Sequence, residues 1–377
     1  MSPIKEGVER GQVRLRQLDY YFGVPLCRVL GWFRPSRELP ATAPRKVGVM
    51  IFGAIGDALL ASTILDSLRK AFPDSHLLLF LSRANKGVAD LIFQYDQMEV
   101  VDVTAPWRAI PKLRNNAVDL LVDTSQWPRV SALLSFFSGA RYCVGFKTQG
   151  QHRHYLYDRV EEHSAYKHEL ENFRSLAVRA GGHEGSLPSL TPPMAFDAEQ
   201  YGIHSPYIVI HPWAAGFMSE LREWPRENWV TLINALSRYG VDLVVTGGHA
   251  DTAPAESLLK DISSHCPVIS LAGKLTLSEL RNCLAGSLGV VSVNTGVMHL
   301  ASLLGVRVIS LNGPTNAERW GGVGDHVFNL NVKPEDGGGF LNLGFEYPDD
   351  AVNVMGMIVP ERVLEACVSH IFSASEK

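Results

Sequence analysis

The segment Val47-Gly-Val-Met-Ile-Phe52 is an unbroken run of apolar, mostly β-favouring residues, and it ends directly in Gly53-Ala-Ile-Gly56-Asp57. A strand with one face in water alternates apolar and polar residues. An unbroken run needs cover on both faces, as in a parallel sheet flanked by helices. The Gly-bearing turn leads into helical apolar spacing over 58–72, closed by Pro73-Asp74, so the unit reads strand, loop, helix. The pattern continues with a strand at 77–81, a helix near 86–94, and strands at 100–103 and 120–123. A second series follows the proline-rich stretch 188–193. Its strands are expected at 207–211, 242–246, 268–271, 289–293 and 306–311, and its helices at 226–239, 254–263, 277–284 and 297–304. This alternation predicts an α/β chain of two Rossmann-like, doubly wound domains, with a ligand cleft between them at the carboxyl ends of the strands.

The length of 377 residues suits two cores. The expected division is an N-terminal amphipathic extension and linker (1–44), a first domain (45–195), a second domain (196–345) and a C-terminal segment with a helix at 360–371 (346–377). A net charge of −4 argues against a chain-wide nucleic-acid surface. Five scattered cysteines without metal spacing read as reduced thiols of a cytoplasmic protein. No apolar run reaches the roughly 20 residues of a membrane span, and the N-terminus lacks a secretory core. Residues 13–34 mix Leu, Tyr, Phe and Trp with Arg14, Arg16, Arg28 and Arg34, interrupted by Pro25, which predicts two short helices. Such a stretch either lies in a membrane interface or packs its apolar side on the adjoining domain.

Several loops carry candidate chemistry. Gly53-x-x-Gly56-Asp57 stands where a phosphate loop would, without the full G-x-G-x-x-G pattern. Asp57 is either an N-cap or a general base, whose pKa the helix dipole would hold low. In Asn294-Thr295-Gly296-Val-Met-His299 the loop opens a helix whose free N–H groups suit a diphosphate, with His299 one turn on. Arg222 is a fixed cation suited to a departing diphosphate. His211 ends a strand, Gly247-Gly248 follows another, and Asp251 is placed to accept from a ribose hydroxyl. Asp123, at a strand end, is a candidate acceptor contact or an N-cap. His152-Arg153-His154 reads as an exposed loop with Arg153 as a substrate contact. No metal site is expected, and neither a Walker lysine nor a G-x-S-x-G elbow occurs.

Taken in order, these segments resemble glycosyltransferase family 9, the ADP-heptose:lipopolysaccharide heptosyltransferases and their relatives. The residues that carry the resemblance begin with Phe52-Gly-Ala-Ile-Gly-Asp57 and Ser138-Gly-Ala-Arg141-Tyr-Cys-Val-Gly-Phe146. His211-Pro212, Arg222-Glu-Trp-Pro225 and Val245-Thr-Gly-Gly248 follow, then Asn294-Thr-Gly-Val-Met-His-Leu-Ala301 and Asn312-Gly-Pro-Thr315. The resemblance implies a GT-B fold with a last helix crossing back, and an inverting, metal-independent transfer without a cofactor. The co-substrate would be a nucleotide-sugar, ADP-heptose or another, and the acceptor a lipopolysaccharide-type glycolipid or polysaccharide. Asp57 would be the base. Gly56, His211, Arg222, Gly247, Gly248, Asp251, Asn294, Thr295, Gly296 and His299 would line the donor site, and Asp123 and Arg153 the acceptor side. Arg222 stands where relatives usually have Lys, and Asn294 where they usually have Asp. That second departure leaves open a non-catalytic sugar-nucleotide-binding protein of the same fold. An enzyme of this kind would work in the cytoplasm, with residues 13–34 a candidate contact to the inner membrane face.

Overall fold

The computed structural model describes residues 13–34, 37, 42–185, 187–344 and 346–373. The chain forms two compact units that divide between Thr191 and Pro192. Residues 1–12 and most of the expected linker 35–44 lie outside the described residues, as do the side chains of Val13, Arg14, Leu15 and Arg16.

The first unit holds six parallel strands: β1 (Lys46–Ile51), β2 (His76–Leu81), β3 (Gln97–Val100), β4 (Leu120–Asp123), β5 (Tyr142–Lys147) and β6 (Arg159–Glu162). Their order is β3-β2-β1-β4-β5-β6, the doubly wound arrangement in which the chain reverses direction across the sheet between β1 and β4. Val47 to Met50 of β1 pair with β2 on one side and β4 on the other. β1 is thus central, and its apolar run is buried on both faces. Around the sheet lie α1 (Val13–Tyr21), α2 (Gly23–Trp32), α3 (Ile55–Ala61), α4 (Thr63–Ala71), α5 (Pro106–Asn115), α6 (Arg129–Phe137) and α7 (Glu169–Arg179).

Several local expectations are corrected. The helix expected over 58–72 is two helices meeting at Ser62, and the one expected at 86–94 is a 3₁₀ segment, Lys86–Leu91. In the N-terminal pair the break falls at Phe22 rather than at Pro25. Pro25 lies in the first turn of α2, where a missing N–H breaks no helical hydrogen bond.

The pair α1–α2 is built into the unit. The carboxylate of Asp19 accepts from the backbone N–H groups of Arg129 (3.1 Å) and Val130 (2.9 Å). It thereby caps α6, whose own N-cap residue is Pro128 and offers no side-chain acceptor. Cys27 is fully buried in the core beside α6. Gly23 and Gly31 face Arg129 and Tyr155 so closely that a Cβ would meet them at 2.9 and 2.6 Å. The opposite face is open: Leu18, Phe22, Leu26, Val29 and Phe33 are all exposed.

The second unit repeats the plan with β7 (Tyr207–His211), β8 (Asp242–Val245), β9 (Val268–Ser270), β10 (Gly289–Val293), β11 (Val308–Asn312) and β12 (Val327–Asn331), ordered β12-β11-β10-β7-β8-β9. Its helices are α8 (Arg226–Leu236), α9 (Thr252–Lys260), α10 (Leu277–Ala285), α11 (Gly296–Leu303), α12 (Ala317–Trp320) and α13 (Pro360–Cys367). The switch point lies between β7 and β10. The tail expected as a separate segment is part of this unit: Val363, Ala366, Cys367 and Ile371 belong to its core. Trp224 packs edge-on against Trp229 and donates from its indole to the Ile358 carbonyl at 2.7 Å, tying the tail to α8.

Candidate active site

In the first unit the loop after β1 sits at the switch point. Its closing helix, α3, places Asp57 at the third helical position, where its Oδ2 accepts from the Ala54 N–H at 2.9 Å. Asp57 is therefore not the N-cap; that residue is Ala54. Gly53 is required here, because a Cβ would lie 2.8 Å from the Asp57 Cβ and 2.9 Å from Oδ2. Only a residue without a side chain lets the carboxylate fold back over the turn.

The expectation of a low pKa is overturned. Although Asp57 keeps some of its surface open, surrounding protein strips much of its hydration and pushes its pKa from 3.8 to about 6. The Ala54 hydrogen bond opposes that rise, and the charge of Glu169 adds to it. Desolvation of the ionised form outweighs the favourable helix terminus.

Glu169 was not signalled by any sequence motif. At the start of α7 it is fully buried. It accepts from Gln126 Nε2 at 2.7 Å and Asn172 Nδ2 at 3.0 Å, and its two oxygens lie 3.0 and 3.1 Å from His163 Nε2. A fixed acidic group of this kind disfavours the ionised form of a neighbouring carboxylate, which makes Asp57 a stronger base.

Asp123 and Arg153 do not present themselves to a substrate. Both side chains have 0% exposure and pair at 2.7 Å. Arg153 also donates to Ser131 Oγ and Tyr157 Oη, and to the Ser125 carbonyl. The Tyr157 hydroxyl donates to Asp123 at 2.6 Å. The loop expected to expose Arg153 instead folds it inward: His152 adopts the left-handed conformation (φ 58°), and the next residue turns to meet Asp123 at the end of β4.

In the second unit the strand ends bring several expected residues together. His211, at the end of β7, is buried, and its Nδ1 lies 3.0 Å from Thr246 Oγ1 at the end of β8. Burial lowers its pKa to about 4, so the ring is neutral at physiological pH. Across the switch point, Thr295 caps α11, accepting from the Val297 N–H, and Gly296 opens the helix. His299 is buried one turn further on.

Asn294 is held by its amide. Nδ2 donates to Asn312 Oδ1 and to the Trp320 carbonyl, both at 2.8 Å. A carboxylate here would set an acceptor against that carbonyl, which accounts for the amide.

Arg222 lies on the loop after β7, donates to the Ala215 carbonyl and interacts with Tyr347. Its Nε is buried with no hydrogen-bond partner among the described residues. Gly247 leaves room for Trp213 and Asp251, whose atoms a Cβ would meet at 2.7 Å. Asp251 turns one oxygen to the Gly248 N–H at 2.7 Å and so first closes its own loop. Among the described residues no group of three or more His, Cys, Asp or Glu is arranged to hold a metal.

Each doubly wound unit thus carries polar groups at its own switch point: the first a desolvated carboxylate, the second a helix N-terminus and a cation. Residues 107–336 match glycosyltransferase family 9 (heptosyltransferase), and the chain belongs to that family. Lipopolysaccharide heptosyltransferase 1 of Salmonella typhimurium is 26% identical over 215 residues, covering 55% of this chain and 65% of that protein, just under two thirds of it. Lipopolysaccharide heptosyltransferase 3 of Escherichia coli is 24% identical over 308 residues, 72% of this chain and 82% of that protein. The solved structure of E. coli ADP-heptose lps heptosyltransferase II superposes with a TM-score of 0.72 at 18% identity, covering 88% of this chain and 99% of that one, a likeness of fold.

Proposed function

We propose that this chain transfers a glycosyl group from a nucleoside-diphosphate sugar to a hydroxyl of a lipopolysaccharide-type or related envelope glycan. The observation that carries the reading is Asp57, a carboxylate at a switch point whose pKa is raised to about 6. It remains mostly ionised at neutral pH yet is more basic than an ordinary aspartate, which suits removal of a proton from an attacking alcohol.

The acceptor oxygen bonds to the anomeric carbon, and its proton passes to Asp57. The bond from that carbon to the diphosphate oxygen breaks, and its electron pair leaves with the diphosphate. Attack from the side opposite the leaving group inverts the anomeric configuration. Arg222 and the α11 terminus at Thr295-Gly296 stabilise the departing charge, so the reading is of transfer that needs no metal. His211, neutral, with Gly247, Gly248 and Asp251, shapes the nucleotide side, and Asn294 and His299 hold the phosphate loop.

The names of the relatives support a heptose or related sugar on ADP, and a lipopolysaccharide acceptor. Such acceptors are lipid-linked, and residues 13–34 seat the enzyme on the inner membrane face. The reading is of a peripheral contact, with the apolar side chains of these short helices in the interface; among the described residues no helix is long and apolar enough to cross a membrane.

The test is release of nucleoside diphosphate by the purified full chain, over a panel of sugar donors and glycolipid acceptors, with and without a chelator. Asp57→Ala should slow transfer by about 10²–10⁴-fold. An undiminished rate removes the base assignment. Donor binding without turnover over the whole panel would make this a binding protein of the same fold.

A further inference from the structure

The apolar stripe on α2 ends beside a cluster of arginines. Phe22, Leu26, Val29 and Phe33 recur at helical spacing, so they share one face, and Trp32 flanks it; Trp32 is 83% and Phe33 74% exposed. The opposite face of the same helix carries the buried Gly23 and Cys27. The outward stripe is therefore left over after packing on the domain has been satisfied.

From Phe33 the chain passes directly into Arg34, which lines a cleft of about 460 Å³ with Arg37, Phe136, Gly139, Ala140 and Arg141. Each arginine has a polar partner. Arg34 binds Asp158 through Nε (3.2 Å) and Nη2 (2.5 Å) and lies over the Phe136 ring. Arg37 donates to the Arg141 carbonyl at 2.7 Å. Arg141, 81% exposed, faces Asp119 at 3.3 Å. Arg114 closes the rim, donating to the Phe137 carbonyl, and its Cγ lies 3.6 Å from the Cβ position of Gly139. Four guanidiniums thus meet two carboxylates, and the cleft keeps an excess of positive charge.

We propose that the Arg34–Arg37–Arg141 cleft binds the phosphate headgroup of an anionic membrane lipid while the α2 stripe lies in the bilayer interface. The proposal rests on the peripheral-membrane reading above and adds to it a lipid-phosphate site. The occupant follows from complementarity. A continuous outward aromatic and aliphatic stripe, with cations gathered at one end, matches a surface whose acyl region and anionic phosphates lie side by side. Arg34 spends its paired donors on Asp158 and supplies charge at the base of the cleft, while the exposed Arg37 and Arg141 keep N–H donors for a phosphate.

The experiment is co-sedimentation of the full chain with vesicles of phosphatidylcholine alone and of phosphatidylcholine mixed with phosphatidic acid. Wild type should bind the mixed vesicles more tightly. Arg37→Gln with Arg141→Gln should weaken that binding about 30-fold and leave binding to neutral vesicles unchanged. Arg83→Gln, an exposed cation at the far edge of the sheet, should have little effect. Phe22→Ser with Phe33→Ser should lower binding to both vesicles.

If wild type binds neither vesicle, the membrane reading falls and the site with it. If wild type binds both equally, if the double arginine variant matches it, or if Arg83→Gln loses as much, the phosphate site alone is overturned. Displacement from the vesicles by an equal concentration of inorganic phosphate would likewise overturn it, by showing that free phosphate is the ligand.

Discussion

Replacing Asp57 by Asn should make the protein more stable while removing its activity. The folded-state pKa of about 6 lies above the 3.8 of an unconstrained aspartate, so the folded chain holds this proton more tightly than the unfolded chain does. Stability from this group is therefore fully present below a pH of about 3.8 and is lost as the pH rises through about 6. Above that, the ionised carboxylate destabilises the fold by an amount set by the gap. Two pH units correspond to at most about 3 kcal/mol, and the part of the side chain open to water lowers this to about 1–3 kcal/mol. Asparagine carries no charge and keeps an oxygen to accept from the Ala54 N–H. At neutral pH, Asp57→Asn should raise the opening free energy of the β1 amides by that amount, read by native-state hydrogen exchange. The gain should shrink through a pH of about 6 and approach zero near a pH of about 4. A variant less stable than wild type at neutral pH, or a gain that does not fade on acidification, would refute the reasoning that burial sets the basicity of this group.

Arg153→Leu should cost about 3–5 kcal/mol, because it leaves Asp123 charged and unpaired at 0% exposure. Thermal unfolding measures the loss, and adding Asp123→Asn should recover part of it, since the two residues act as one unit. Asn294→Asp should cost about 1–3 kcal/mol by setting a carboxylate against the Trp320 carbonyl. A melting temperature equal to wild type would show that this amide does not hold the loop.

Burial on both faces leaves an unbroken apolar run, which made β1, β2, β7 and β10 legible in the sequence; the interior strand β5, Tyr-Cys-Val-Gly-Phe-Lys, was not among those expected. The edge strands β3, β6 and β12 were not legible, whereas β9, expected at 268–271, was. β6 reads Arg-Val-Glu-Glu, β12 is half open, and β3 is displaced by three residues from the expected 100–103. An edge strand pairs on one side only and tolerates polar residues, so its pattern resembles a loop. The location of Asp57 followed from the strand–glycine–helix order, but its pKa did not. The helix terminus is visible in the sequence, whereas the desolvation and the charge of Glu169, over a hundred residues away, exist only in the fold. Asp123 and Arg153 were misread for the same reason: each looks like a polar residue at a loop, and only their meeting across thirty residues hides both.

The carboxylate of Asp19 has a consequence for how this protein can be cut. An N-cap supplied from another helix is worth about 1 kcal/mol, and α2 also buries Cys27 in the core of the unit. An expression boundary drawn at Arg45, just before the first strand, would leave α6 uncapped and open apolar surface to water. The leading helices are thus less an attached address label than a keystone of the first unit. A form without them would need new substitutions along α6 to restore the cap.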